Sequence, residues 1–406
     1  MELFIAKRLA QNNTGSFSGA IIKIAIMAVG LSVCILILTA SIVEGFQSQI
    51  TEKIFGYWGH IQVLHLTADR AMQNVPIYNE PELIDAIRKE HGIKHAHVFA
   101  NKAGILKTAD NIEGVVLRGV STDYNWSFFE EHIIEGGVLN LSDSVGHREI
   151  LVSNSLAKRL KLKVGDNIVV FFAKDKSVNT LYRKLIVKGI YHTGLEEYDR
   201  LFCYVDIRHI QKLNGWDYNQ ISGVEIFIND VHQLDSTVTR IENALPYMYR
   251  AQSLKDVFPN IFDWVNLTVT NKYIVIILVT LVAAFNMITV LLILILERTK
   301  MVGILKTMGA MDWNVQKIFL YHAVLITLVG VLLGNVLGIG LSCLQITFGI
   351  VSLPEESYYL STVPVQIDWW NVFWINIGAI ITINLILIIP SIIIKKISPI
   401  KAIRFN

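Results

Sequence analysis

Stretches without a charged residue set the frame of this chain. Four of them, Ile24 to Val43, Tyr273 to Leu296, Ile318 to Pro354 and Trp369 to Ile394, each match or exceed the roughly 20 residues a helix needs to cross a bilayer's hydrocarbon core. The third is longer than one span requires and must include part of a loop. Between the first two, Glu44 to Lys272 is of ordinary polar composition and long enough to fold around a core of its own. The pattern predicts an α-helical membrane protein with four transmembrane helices in a 1+3 order and a large domain inserted after the first.

Finer periodicities fill in that domain. Val43, Phe46, Ile50 and Ile54 recur at three- and four-residue intervals, so the first helix is expected to continue past the bilayer as a stalk. Before the second span, Ser253 can cap a helix with Pro259 close behind, which predicts a second stalk or a short leading helix. Alternating runs such as "HIQVLHL", "EGVVLRGV", "NIVVFF", "KLIVKGIY" and "GVEIFI" read as strands. They interleave with the helical "EPELIDAIRKE", "SNSLAKRLK" and "DVHQLDSTVTRIENAL", so the domain is expected to be α+β.

Charge orients the chain. Lys7, Arg8 and Lys23 precede span one, Arg298, Lys300, Lys306 and Lys317 separate spans two and three, and Lys395, Lys396, Lys401 and Arg404 follow span four. Those segments hold only Glu2, Glu297 and Asp312 as acids, so the rest of a chain of net charge +2 is acidic. The positive-inside rule then places both termini in the cytoplasm and the large domain outside. The expected layout is a cytoplasmic start over 1–23, spans at 24–43, 273–296, 318–346 and 369–394, and an extracytoplasmic domain with stalks over 44–272. A cytoplasmic segment at 297–317, an outer loop at 347–368 and a cytoplasmic tail at 395–406 complete it. A cleaved signal peptide fits the first run poorly: its uncharged stretch is too long, and no small-x-small site precedes Glu44.

With 52% hydrophobic residues the composition excludes an ordinary soluble enzyme. Cys203 is the one cysteine of the outer domain, which must therefore hold together by packing rather than by a disulfide of its own. Gly330, Gly334 and Gly338 line one face of span three and predict close helix packing. Asn286, Asn335 and Asn384 are amides inside spans, each expected to bond a neighbouring helix or face a wet cavity.

Candidate chemistry is sparse. His91, His95 and His97 cluster without a cysteine or carboxylate at a metal-ligand spacing and read as solvated surface histidines; no metal is expected. Glu196, Glu197 and Asp199 in "GLEEYDR" read as a solvated turn. Neither a phosphate-binding loop nor a G-x-S-x-G elbow occurs, so any ATP-driven work needs another polypeptide, and the chain is not expected to be an enzyme. Between spans two and three, Met301, Ile304, Leu305 and Met308 form an apolar stripe beside the polar Arg298, Lys300 and Lys306. Gly309 can end that helix and Asp312 can cap the next, and the spacing leaves both a structural turn and a partner-docking helix open.

The stretch "LVAAFNMITVLLILILERTKMVGILKTMGAMDWNVQKIF", with "VEGFQSQI", "PEESYYLSTVPVQIDWWNVF" and "IPSIIIKKISPIKAIRF", resembles the lipoprotein-releasing permeases of the Lol system, LolC/LolE type, within the 1+3 ABC permeases. In the outer domain "HTGLEEYD" and "YVDI" carry it more weakly. The resemblance implies a MacB-like periplasmic core and a multi-pass protein of the bacterial inner membrane. It implies that the permease extracts lipoproteins from the outer leaflet of that membrane, moving among membrane lipids. Its implied partners are a second permease copy or paralogue, a cytoplasmic LolD-like ATPase dimer holding the ATP and Mg, the lipoprotein substrate and a periplasmic LolA-like carrier; no nucleic acid is involved. Signalling permeases of the FtsX type and efflux permeases of the MacB type are the alternatives on the same fold.

By that resemblance Arg298, Lys300, Met301, Ile304, Leu305, Lys306, Met308 and Gly309 belong to an ATPase-coupling helix, and Met311 stands where the family has Ser, leaving the cap to Asp312. The lipoprotein's path would run along Thr39, Ile42, Val43 and Phe46 on helix one, Asp263 and Leu267 at the top of helix two, and Tyr358 and Val363 before helix four. The family's carrier-gripping hook would fall at "FFAKDKSVNTLYRKL", here short, basic and without proline.

Overall fold

The computed structural model describes residues 17–68, 75–108, 111–141, 148–172 and 181–396. The hook stretch at 173–180, the charges before residue 17 and those after 396 lie outside the described residues. Two compact units emerge: a helical unit from the described residues of Met1–Ser48, Asp263–Ser352 and Thr362–Asn406, and an α+β unit from those of Gln49–Phe262 and Leu353–Ser361.

Four helices among the described residues are long and apolar enough to cross a membrane: Gly19–Trp58, Pro259–Glu297, Asp312–Phe348 and Trp369–Lys395. The 42 residues of Phe17–Trp58 span about 63 Å at 1.5 Å per residue, twice the hydrocarbon thickness, so the helix outruns any bilayer it crosses. The third long helix begins at Asp312, not at the end of the charged segment, because Gly309 at φ +91° reverses the chain just before it. It ends at Phe348, where Gly349 takes the left-handed conformation as its C-cap.

In the helical unit the core is drawn from all four helices, including Val29, Val33 and Ile37, Met287 and Leu291, Phe319 and Ala323, and Ile383 and Leu387. The glycine stripe of the third helix lies on the first. A Cβ on Gly334 would come within 2.6 Å of the Gly30 carbonyl oxygen, and one on Gly330 within 2.8 Å of Val29, so only hydrogen fits there. Asn335 and Asn376 exchange two side-chain hydrogen bonds, at 2.7 and 2.9 Å, between the third and fourth helices. The other two intramembrane amides are placed differently. Asn384 donates back to Ile380 O of its own helix, which satisfies only its Nδ2, and Asn286 is exposed on the second helix.

The α+β unit holds twelve strands: β1 (Ile61–His65), β2 (Ile77–Tyr78), β3 (Ile93–Lys107), β4 (Ile112–Val120), β5 (Ile133–Gly136), β6 (Glu149–Ser153), β7 (Asn167–Phe172), β8 (Leu181–Tyr191), β9 (Phe202–Asp206), β10 (Gln220–Ile221), β11 (Gly223–Ile228) and β12 (Tyr249–Ser253). Ten form one mixed sheet in the order β12-β1-β11-β3-β4-β9-β6-β8-β5, with β7 bridging β3 and β8, while β2 pairs with β10. Among the described residues only β4/β9 and β6/β8 run parallel. Helices Pro81–Lys89, Asn154–Leu160, Ile207–Asn214 and Leu234–Ala244 connect the strands, and Ser153 and Asp206 cap two of them through bonds from Leu156 N and Arg208 N. Ser253 caps a four-residue helix, Leu254–Val257, that leads into the helix starting at Pro259.

The last turns of the first long helix bury Ile50, Ile54, Tyr57 and Trp58 within this unit. Tyr57 sits among the rings of Phe129, Tyr198, Phe202 and Tyr204, at centroid distances of 5.6 to 6.4 Å. Two sequence expectations are corrected here. His97 is not a solvated histidine: it is 1% exposed, because β3 lies inside the sheet between β11 and β4. Asp199 is not in a solvated turn either; it ends the short helix Glu196–Asp199 and is fully buried, because the Thr193 amide and hydroxyl bond its carboxylate inside the unit. All three cysteines are free.

Candidate functional site

The segment joining the second and third long helices forms a helix over Thr299–Thr307. Its buried face is centred on Val302 and Gly303, with Met301 and Leu305 packed on the helical core. Lys306, one turn on from Val302, also points inward: its Nζ donates to Ile394 O at 2.8 Å and pairs with Asp312 at 2.9 Å. Asp312 is therefore the acidic first residue of the third helix, favourable at its positive end, while Met311 occupies the N-cap position without a side-chain bond. The expected cap at Asp312 is corrected; its carboxylate is engaged by Lys306 instead.

The apolar stripe read from the sequence is thus divided. Met301 and Leu305 face the core, whereas Ile304 and Met308 are exposed, at 52% and 79%. With Lys300, also exposed, they make an outward face at strict four-residue spacing, followed by the exposed Met311 and Trp313. Arg298 is half-buried, and Gly309 serves the chain reversal.

Of the lipid-path positions, Thr39, Ile42, Val43 and Phe46 are half-buried on the first helix, while Asp263 and Leu267 are exposed on the second. Phe46 meets Trp264 edge to face at 6.5 Å, which brings the first helix to the start of the second. The loop carrying Val363 lies beside the same stretch: Gln366 N donates to Ser41 O at 2.9 Å, and a Cβ on Gly45 would fall 2.6 Å from the Pro364 carbonyl oxygen. Tyr358 belongs to the α+β unit, in the short helix Glu355–Tyr358.

Around that short helix lies a cluster that sequence reasoning missed. Glu355 Oε2 is 2.9 Å from His192 Nε2, and His192 Nδ1 is 3.7 Å from Asp199. Lys53 Nζ donates to Tyr359 O at 2.9 Å, and Arg200 reaches Glu356 at 3.5 Å. Asp199 accepts from Thr193 N and Thr193 Oγ1 at 3.0 and 2.7 Å, yet burial pushes its carboxyl up to about 6. Burial also lowers the Lys53 ammonium from its ordinary range. The signal was present in part: "HTGLEEYD" and "PEESYY", two stretches that carry the family resemblance, are the two sides of this contact.

A second buried cluster sits in the sheet. Arg118 is fully buried, ion-paired with Glu225 and placed over the rings of Phe99 and Trp58, at 4.0 and 4.7 Å. Glu225 also receives Gln62 Nε2 at 3.2 Å and lies 3.0 Å from His97 Nε2. Burial alone would raise the Glu225 carboxyl, but Arg118 and His97 hold it below the ordinary carboxylate range. No group of three or more His, Cys, Asp or Glu able to hold a metal occurs among the described residues.

Four long helices with an α+β unit inserted after the first define a 1+3 permease architecture. The chain belongs to the family built on the MacB-like periplasmic core domain, which matches residues 24–244, and the FtsX-like permease C-terminal domain matches residues 273–399. It is a protein of the bacterial inner membrane. Curated relatives are similar over nearly the whole length. The lipoprotein-releasing system transmembrane protein LolC of Xylella fastidiosa is 22% identical over 98% of this chain and 97% of its own. LolC of Neisseria meningitidis is 24% identical over 100% and 99%, and LolE of Haemophilus influenzae 22% over 89% and 88%. Among solved structures, the periplasmic region of MacB from Actinobacillus actinomycetemcomitans is similar over 52% of this chain and 97% of its own at 16% identity, with a TM-score of 0.36.

Proposed function

We propose that this chain is the permease subunit of an ABC transporter that extracts lipoproteins from the outer leaflet of the inner membrane, with ATP hydrolysed by a separate subunit. The full-length similarity to LolC and LolE proteins carries the reading. In it, both termini and the Thr299–Thr307 helix face the cytoplasm and the α+β unit faces the periplasm, as the lysines and arginines of the short segments favour. The ATPase would seat on the outward face of Lys300, Ile304 and Met308. Lys306, only 9% exposed and engaged with Asp312, would transmit the push into the third helix. The lipoprotein's acyl chains would meet the membrane helices near Thr39, Val43, Phe46 and Leu267. A second permease copy, LolC-like or LolE-like, completes the transporter, and a LolA-like carrier receives the cargo. No covalent chemistry is assigned to this chain; it converts motion into release.

The test is depletion of the native copy with complementation by Ile304→Glu/Met308→Glu. The expected result is mature lipoproteins held in the inner membrane and loss of ATPase co-purification. Normal sorting after depletion without complementation overturns the lipoprotein reading and favours an FtsX-type signalling permease, for which the match at 273–399 speaks. Full complementation by the double variant, with the ATPase still bound, overturns the docking face.

A further inference from the structure

A cavity of about 460 Å³ opens among the first, second and fourth long helices of the helical unit. Its walls are apolar, from Leu36 and Ala40 on the first helix, Ile276 and Leu281 on the second, and Trp374 and Gly378 on the fourth. At one end the character changes. Lys272 Nζ lies 3.6 Å from Glu44 Oε2, Asn371 Nδ2 lies 3.5 Å from the same oxygen, and the Lys272 side chain is only 11% exposed. Lys272 and Asn371 line this end of the slot and Glu44 beside it joins them, while Thr280 and Thr382 are the other polar side chains of a mostly apolar wall.

We propose that this slot holds one acyl chain of a bilayer phospholipid with a zwitterionic headgroup, seated at the Lys272, Glu44 and Asn371 rim. Three features point there. The wall from Lys272 to Leu281 spans nine helical rises, about 14 Å, which is half of the roughly 30 Å hydrocarbon core and so the depth of one leaflet's chain. The rim carries one positive and one negative side chain, so a phosphate can meet Lys272 while its ammonium meets Glu44; a net anionic headgroup brings no cation to match Glu44. The helices that line the slot are also long and apolar enough to cross a membrane, and in a bilayer an apolar cavity without a chain in it forfeits packing contacts. The inference does not rest on lipoprotein release: it needs only that these helices cross a bilayer, and it concerns a resident lipid rather than cargo.

Gly378 supplies the tool. It lines the slot, and a Cβ built on it meets nothing within 4 Å, so the backbone accepts a side chain there and Gly378→Leu is expected to occupy the cavity and improve helix propensity. Gly340 on the third helix has the same freedom but lies outside the cavity lining, which makes Gly340→Leu the control. The full chain is placed in nanodiscs of phosphatidylcholine containing a trace of phosphatidylcholine with a mid-chain diazirine, illuminated, and mapped by peptide mass spectrometry. The wild-type protein is expected to concentrate label on 272–281 and 371–382, to lose about tenfold of it in Gly378→Leu, and to keep it in Gly340→Leu. A diazirine phosphatidylglycerol probe is expected to label those peptides several-fold less. Label spread evenly over all four helices, or label in the slot that Gly378→Leu leaves unchanged, overturns the site. Equal labelling by the anionic probe overturns the headgroup assignment. Labelling of the slot by a diazirine-bearing triacylated lipopeptide that displaces phosphatidylcholine shows cargo, not resident lipid, and overturns the proposal while leaving the release reading intact.

Discussion

The two units of this protein face the same problem, polar atoms that must be hidden from lipid or from a hydrophobic core, and solve it differently. The α+β unit buries charged groups and satisfies them, Arg118 with the remote Glu225 and Asp199 with the nearby Thr193 and His192. The helical unit buries almost none. Its best-satisfied polar contact among the described residues is a neutral amide pair, Asn335 with Asn376, while Lys306 and Asp312 meet at the end of the helices. The difference follows from the reference state. A sheet domain folds from water and can assemble a multi-partner cage as it closes, whereas a helix already in hydrocarbon gains little from a charge it must keep solvated.

The contrast is broken most strongly at Arg118. Arg118→Met leaves the Glu225 carboxylate buried with only Gln62 and His97, so the α+β unit is expected to lose about 3–5 kcal/mol. Near-UV circular dichroism through a urea titration of the full chain reads the loss, since Trp58 packs on that guanidinium. Arg118→Met/Glu225→Gln, which removes the charge but keeps an acceptor and a donor, is expected to recover most of it. If the double variant is as unstable as the single, the site is held by the arginine's stacking on Phe99 and Trp58 rather than by its charge.

How far each unit can be read from sequence follows the same division. The four long helices, their stalks and the glycine stripe depend on periodicities within single segments, and "SLKDVFP" marks its own cap at Ser253. The histidines of "HGIKHAHV" alternate as a strand should, but the face that turns inward is set by β11 and β4, pairing partners that local sequence does not specify. Asp199 looks like a loop acid because nothing in its own stretch shows that the Thr193 amide and hydroxyl hold it in a buried site. In the candidate coupling helix the stripe was visible and its division was not. Nine residues place apolar groups on more than one face, and the reversal at Gly309 decides that Val302 is the centre of the buried one.

Asp199 sharpens the comparison through pH. Its carboxyl titrates at about 6 in the folded protein against an ordinary 3.8, so the folded state binds this proton more tightly. The stabilisation it gives is complete below 3.8 and is lost as pH rises to 6, a difference of about 3 kcal/mol at most. The stability of wild type relative to Asp199→Asn should therefore fall between pH 4 and pH 7, measured by urea midpoints at each pH. A relative stability that instead rises over that window means that His192 and Lys53 stabilise the carboxylate more than burial penalises it.

The smallest expected effect lies in the membrane helices. Asn376→Leu deletes both amide hydrogen bonds to Asn335, yet Asn335 Nδ2 still donates to Val331 O of its own helix at 2.8 Å. The unfolded state in a micelle offers the same intrahelical bond, so what is lost is one interhelical contact, worth about 0.6–1.7 kcal/mol. Unfolding of the full chain in mixed micelles, followed by accessibility of a reporter on the fourth helix, measures it, and Asn335→Leu/Asn376→Leu should cost no more than the single change. A loss as large as that at Arg118 would show that the amide pair sets the register of the third and fourth helices, and that hydrocarbon and sheet interior treat a buried polar partner alike.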